Sequence, residues 1–303
     1  MRLVTFRAGG GAPRLGGVVG DSVVALRSAL DAALRAAGET ARAAELIPDD
    51  MVALLADEAA MVAASRALAF AARPENGALR VRRSGVELLA PLRPGKIIGI
   101  GRNYAEHAKE AGGPKQEAPR IFLKPASAIA GPGCVVRIPK AVRKPDYEAE
   151  LGVVIGRAAR EVDERVALDH VAGYVALNDI SAREFQFDVS PPQTSFAKGM
   201  DGFCPIGPWI ATADEAGEPW RLSIRCELNG ETVQDGNTSD MIFPVPALIA
   251  YLSRYMTLHP GDLIATGTPA GPGAFRDPPR WLKPGDRLRI EVERVGVLEH
   301  AIG

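Results

Sequence analysis

Asp146-Tyr147-Glu148-Ala149-Glu150-Leu151 runs directly into Gly152-Val153-Val154-Ile155-Gly156. The apolar run is short, β-branched and closed by glycine, so it predicts a buried strand rather than a helix. Side chains on a strand alternate between its two faces. Glu148 and Glu150 therefore point the same way, with two like charges entering a buried sheet. That placement is costly unless something positive lies between them. Carboxylate oxygens suit a hard divalent cation such as Mg²⁺, Mn²⁺ or Ca²⁺. A strand end whose acids face water is the other reading, and this stretch alone leaves the two open.

Downstream, Gly173-Tyr174-Val175-Ala176-Leu177-Asn178-Asp179-Ile180 is an apolar strand ending in an acid. Asp179 supplies a third oxygen ligand if the chain brings it beside the glutamates, or else it caps the following turn. Lys198 lies among small and apolar residues, where a lysine calls for an anion. Upstream, Lys96 to Gly101 is a short buried strand breaking into glycine, and Arg102 to Glu110 reads as a short helix. Gly99-x-Gly101 lacks the third glycine and the βαβ pattern of a dinucleotide fingerprint. His107 and Glu110 are i and i+3 on that helix, hence neighbours: a carboxylate orienting a general base, or a surface pair. Gly112-Gly113-Pro114 would give this helix the exit of a lid.

The 303 residues carry 36 basic and 37 acidic side chains, a balance that does not point to nucleic acid or to an anionic membrane as a partner. No apolar run is long enough to span a bilayer, and the N-terminus lacks a signal-peptide core, so a cytoplasmic protein is expected. Cys134, Cys204 and Cys226 are odd in number and widely spaced, which suits small core residues better than disulfides or a zinc site. Residues 1–92 form one compositional unit: a hairpin around Gly20-Asp21, then two or three Ala/Leu/Arg-rich helices from Ser28 to Arg73. This unit is expected to be a small α/β cap on a larger domain spanning 93–303. Asn229-Gly230 marks a hairpin, Pro246 opens an amphipathic helix, and Arg287 to Glu293 alternates as a half-exposed strand. His170 and His300 are expected at the surface, and His259 in a structural turn.

Taken together, these pieces resemble the fumarylacetoacetate hydrolase family. The matching stretches are Gly101-Arg102-Asn103-Tyr104 with His107 and Glu110; Tyr147 to Gly152; Asn178-Asp179 with Ala182-Arg183 and Gln186; Ala197-Lys198 with Asp201; Met241-Ile242-Phe243; and Gly261-Asp262 with Gly267-Thr268-Pro269. They run in order from Lys96 to the C-terminus, which makes the set far more specific than any one of them. The resemblance implies an α+β, mainly β fold, a mixed β-sandwich roll, commonly as a homodimer. It implies a Mg²⁺ or Mn²⁺ ion (Ca²⁺ being a third option) held by Glu148, Glu150 and Asp179. His107, Glu110 and Lys198 would be catalytic, with Arg102, Tyr104, Arg183, Gln186 and Thr268 around the substrate. Thr194 departs from the pattern, since family members often carry tryptophan four residues before the lysine. The loop Val189 to Gln193 is also this chain's own.

The reaction this implies is hydrolysis of a C–C bond in an acylpyruvate-type 2,4-dioxo acid such as fumarylpyruvate or acetylpyruvate. The metal would hold the charge of the enolate, and His107 would activate water. The same device serves decarboxylation of oxaloacetate, and isomerisation or decarboxylation of unsaturated 2-oxo diacids. A catalytically silent 2-oxo-acid-binding protein is the reading of a different class; three acids, a dyad and a lysine together argue against it.

Overall fold

The computed structural model describes residues 1–112 and 116–303. Among them, twelve strands join in one mixed sheet. Its centre is the stretch quoted first: strand Ala149–Ile155 pairs antiparallel with Val171–Asn178 on one side and with Leu263–Ala265 on the other. The sheet continues through Leu263–Ala265 to Ile97–Gly101 and Arg120–Lys124, and through Val171–Asn178 to Cys204–Thr212. The N-terminal strand Arg2–Arg7 pairs with Cys204–Thr212, so the hairpin of residues 14–25 extends the same sheet. Five further strands, Ser223–Leu228, Glu231–Asn237, Arg287–Val292, Gly296–Ile302 and Val135–Val136, make a second sheet. The architecture is α+β and rich in strands, as expected.

The two-residue period explains the layers. Leu151, Val153 and Ile155 face the second sheet and share a core with Ile224, Cys226, Ile290 and Leu298. Val154, on the opposite face, packs with Val175, Leu177, Ile206 and Ile210 beneath the N-terminal helices. A strand covered on both faces must be apolar almost throughout, which is why Ala149–Ile155 is buried at every position. Each such Leu, Ile or Val contributes roughly 1.5–3 kcal/mol on burial.

The Ser28–Arg73 section folds as four helices rather than two or three, because acidic caps and short loops break it. Leu26, Ala29, Leu30, Ala33 and Leu34 form the buried stripe of helix Leu26–Ala36. Asp57 starts helix Glu58–Ala72 by accepting the N–H groups of Ala59 and Ala60. That helix buries alanines at 60, 63, 64, 67 and 71, which lets it lie close to its neighbours.

His300 corrects the sequence expectation. It is 5% exposed, not solvent-facing, because Leu298, His300 and Ile302 share the inward face of strand Gly296–Ile302. Its Nε2 accepts from Nδ2 of Asn178 at 2.9 Å, and burial pushes its pKa down to about 4. His170 is half-buried, and His259 sits exposed in its turn. Cys204 and Cys226 are buried, whereas Cys134 is half-buried. The lid exit read at Gly113-Pro114 lies outside the described residues. No described helix is long and apolar enough to cross a membrane.

Candidate active site

The antiparallel register assembles the acids. Ala149 lies opposite Asn178, so the start of one central strand meets the end of the next, and the N–H of Asp179 bonds the carbonyl of Glu148 at 2.9 Å. Glu148, Glu150 and Asp179 are all buried, and each offers a carboxylate oxygen within 4.8 Å of the others. Asp146, on the short strand Pro145–Asp146 paired with Ser181–Ala182, shares Arg183 with Glu148. It accepts Nε of Arg183 at 2.8 Å, together with the N–H groups of Gly273 and Ala274.

Cations surround this cluster. Nζ of Lys198, at the end of helix Thr194–Lys198, lies 2.6 Å from Oε2 of Glu148 and 2.6 Å from Oδ2 of Asp179. Lys124, at the end of strand Arg120–Lys124, is fully buried and bonds the other oxygen of Asp179 and the carbonyl of Phe203. Arg183 reaches Oε1 of Glu148 at 2.6 Å and Oε1 of Gln186 at 2.9 Å. Burial opposes ionisation of Glu148, yet the charges of Arg183 and Lys198 outweigh it and hold the carboxyl well below the ordinary range. Burial likewise works against the Lys198 ammonium, but Asp179 and Glu148 raise its pKa above the usual lysine value.

Glu150 is different. It makes no ion pair among the described residues and accepts only the N–H of Gly267, at 2.9 Å. Burial, with Asp179 and Glu148 beside it, drives its carboxyl well above the ordinary range. Three buried carboxylates, one of them without a cation of its own, fit a hard divalent ion with oxygen donors.

Above the cluster lies a cavity of about 190 Å³ walled by Glu148, Lys198, Arg183, Gln186, His107, Arg102, Arg120, Thr194 and Thr268, among others. Nδ1 of His107 lies 3.2 Å from Oε2 of Glu110, whose carboxylate also accepts the N–H of Gly271 at 3.3 Å. An ionised carboxylate only accepts, so Nδ1 carries the proton, and Nε2 has no hydrogen-bond partner among the described residues. The ring of Phe275 meets the imidazole edge to face, with centroids 5.3 Å apart.

Of the substrate-contact residues expected from sequence, Arg102, Arg183, Gln186 and Thr268 line this cavity. The Thr268 hydroxyl is already engaged, donating to the carbonyl of Ala149 and accepting from Gln234. Tyr104 does not reach the cavity: its side chain is 1% exposed and packs in the core. The helix begins after Tyr104, so this residue takes an extended conformation and bridges to Met241 instead. Lys124, Asp146, Arg120 and Phe275 were missed by sequence reasoning. For Asp146 a signal was present in its phase with Glu148 and Glu150. For the others, the partner that gives each residue meaning is distant in sequence.

The family model for the fumarylacetoacetate (FAA) hydrolase C-terminal domain matches residues 96–303. The chain belongs to the fumarylacetoacetate hydrolase family. It is 45% identical over 221 residues to the mitochondrial oxaloacetate tautomerase fahd2 of Xenopus laevis, covering 73% of this chain and 69% of that protein. Among solved structures, maleylpyruvate hydrolase from Sphingobium sp. SYK-6 in complex with manganese(II) and pyruvate is 34% identical, with TM-score 0.76 and full coverage of both chains. The 2-hydroxyhepta-2,4-diene-1,7-dioate isomerase of Mycobacterium marinum is 31% identical with TM-score 0.72, covering 100% of this chain and 98% of that one. These family members are enzymes: a tautomerase, a hydrolase and an isomerase.

Proposed function

We propose that this chain is a Mg²⁺- or Mn²⁺-dependent enzyme that moves a proton at the carbon next to the keto group of a 2-oxo acid, with keto–enol tautomerisation of oxaloacetate as its reaction. The observation that carries this is that His107 lines the same cavity as Glu148, one of the three clustered acids, and Lys198. His107, held through Nδ1 by Glu110, leaves Nε2 free to take or return a proton. A divalent ion on Glu148, Glu150 and Asp179 would supply Lewis acidity to the substrate's adjacent carboxylate and keto oxygens. Arg183, engaged with Asp146 and Glu148, holds Gln186 through its Oε1 and so leaves the Gln186 amide N–H groups for a substrate oxygen, and Lys198 adds positive charge where an enolate oxygen develops. Phe275 packs against the His107 ring and limits water beside it. The level of identity to the oxaloacetate tautomerase supports this order of preference.

Hydrolysis of an acylpyruvate C–C bond is the second reading, favoured by the likeness to maleylpyruvate hydrolase. There His107 would take its proton from water attacking the second carbonyl. Mn²⁺-supplemented enzyme offered enol oxaloacetate, acetylpyruvate and fumarylpyruvate separates the two. Accelerated ketonisation without cleavage, lost in His107→Ala, is the expected outcome. Cleavage of an acylpyruvate with no effect on oxaloacetate would replace the first reading by the second.

A further inference from the structure

At the start of strand Ala149–Ile155, two backbone N–H groups are taken by side chains rather than by a neighbouring strand. That of Glu148 donates to Oδ1 of Asn178 at 3.0 Å, and that of Ala149 to Oε1 of Gln234 at 2.9 Å. Both amides are buried. Gln234 stands on strand Glu231–Asn237 of the second sheet. Asn178 belongs to the central sheet but is held from the second one, because its Nδ2 lies 2.9 Å from Nε2 of His300 on strand Gly296–Ile302. Asn178 also precedes Asp179, whose N–H bonds the Glu148 carbonyl at 2.9 Å. A turn of the Asn178 amide therefore disturbs the backbone of two of the three acids.

The donors in this relay follow by elimination. A backbone N–H can only donate, so Asn178 turns its oxygen to Glu148 and its NH₂ group to His300. Nε2 of His300 must then accept, which places the ring proton on Nδ1. Nδ1 is buried without a hydrogen-bond partner among the described residues. An unpaired buried donor is costly, and what it accompanies here is an acceptor for Asn178.

We infer that His300 is a positioning residue for the candidate metal centre: through the amide of Asn178 it holds the backbone of Glu148, and with it the spacing of the Glu148 and Asp179 carboxylates. This rests on the reading that those acids bind a divalent ion, and it gives the second sheet a part in that binding. His300 belongs neither to the cavity wall nor to the clustered acids, so it acts only through Asn178. Hydrogen bonds behind metal ligands set the orientation of those ligands, and affinity follows.

Mn²⁺ titration calorimetry of wild type, His300→Leu, His300→Gln and Leu298→Ala tests this. The leucine removes the acceptor, and glutamine returns one in its amide oxygen. Leu298→Ala thins the same buried strand face without removing a hydrogen bond to Asn178. Affinity is expected to fall about tenfold in His300→Leu and to stay within about threefold of wild type in the other two. No fall in His300→Leu, or an equal fall in His300→Gln or Leu298→Ala, overturns the positioning role and leaves the metal reading in place. Wild-type protein that binds no Mn²⁺ overturns the metal reading, and this role with it. Long-range ¹H–¹⁵N spectra of the wild-type imidazoles, with His300 assigned by its loss in His300→Gln, are a check that does not depend on the leucine variant folding. The Nδ1–H tautomer is expected, and an Nε2–H ring overturns the relay.

Discussion

Nζ of Lys198 lies 2.6 Å from Oδ2 of Asp179, and the same nitrogen lies 2.6 Å from Glu148. The ammonium thus occupies the space between two of the three acids suited to a divalent ion. Lysine and metal draw on the same oxygens, so each must change the stability and affinity due to the other.

Lys198→Met should therefore lose most stability when metal is absent. Removing one partner of a buried ion pair costs about 3–5 kcal/mol. Thermal unfolding in EDTA is expected to show that loss, and saturating Mn²⁺ to recover much of it. Equal deficits in both conditions would argue against a shared set of oxygens.

Glu150→Gln should behave in the opposite sense. The amide still accepts from Gly267, and it replaces a buried carboxyl that is reluctant to ionise. Metal-free stability should stay within about 1 kcal/mol of wild type or rise. Mn²⁺ affinity, followed by calorimetry, should fall at least about tenfold because one charged ligand is gone. Unchanged affinity would remove Glu150 from the ligand set.

His107→Ala should lower kcat by about 10²–10⁴. Mn²⁺ affinity should hardly move, since His107 is not among the clustered acids. Glu110→Gln should cost less, because the amide can still hold the ring while no longer supporting its charge. Steady-state kinetics alongside metal titration checks the split; a Glu110→Gln enzyme slower than His107→Ala would mean that the roles are wrongly divided.

His300 makes stability pH-dependent. Its folded pKa of about 4 lies below the ordinary value of 6.5, so the unfolded chain takes up the proton first as pH falls. Its stabilisation is complete above about pH 6.5 and is lost as pH drops towards 4, amounting to about 2–3 kcal/mol. Urea unfolding in EDTA should show a shallower decline between pH 7 and 5 for His300→Gln than for wild type. Parallel curves would mean that another group titrates there.

Asn103→Ala should destabilise by about 2–4 kcal/mol. The amide of Asn103 donates to the carbonyls of Thr266 and Phe243 and accepts the N–H of Phe243, tying three segments together. Denaturant titration measures this, and a change under about 0.5 kcal/mol would show that the loops hold without it.

Much of the site was legible because its signals are local. Period two placed Glu148 and Glu150 on one face, and i, i+3 spacing joined His107 to Glu110. Asp146 stood in the same phase and could have been added. His300 was misplaced although Leu298 and Ile302 share its face; a terminal position suggested solvent, and only the second sheet shows what covers that strand. The helix starts at Ala105 rather than at Arg102, so Tyr104 precedes it in extended conformation.

By itself, the sequence determined the elements that depend on near neighbours: the buried central strand, the hairpins, the helical N-terminal section and the ordered family motifs. Tertiary structure alone decided the charge balance. Lys124 meets Asp179 across 55 residues, and Arg183 meets Asp146 across 37. Arg120 meets Arg102 only because strands Ile97–Gly101 and Arg120–Lys124 pair. A side chain's desolvation and its partners are set by strand register, and register is a property of the packed sheets rather than of any one stretch.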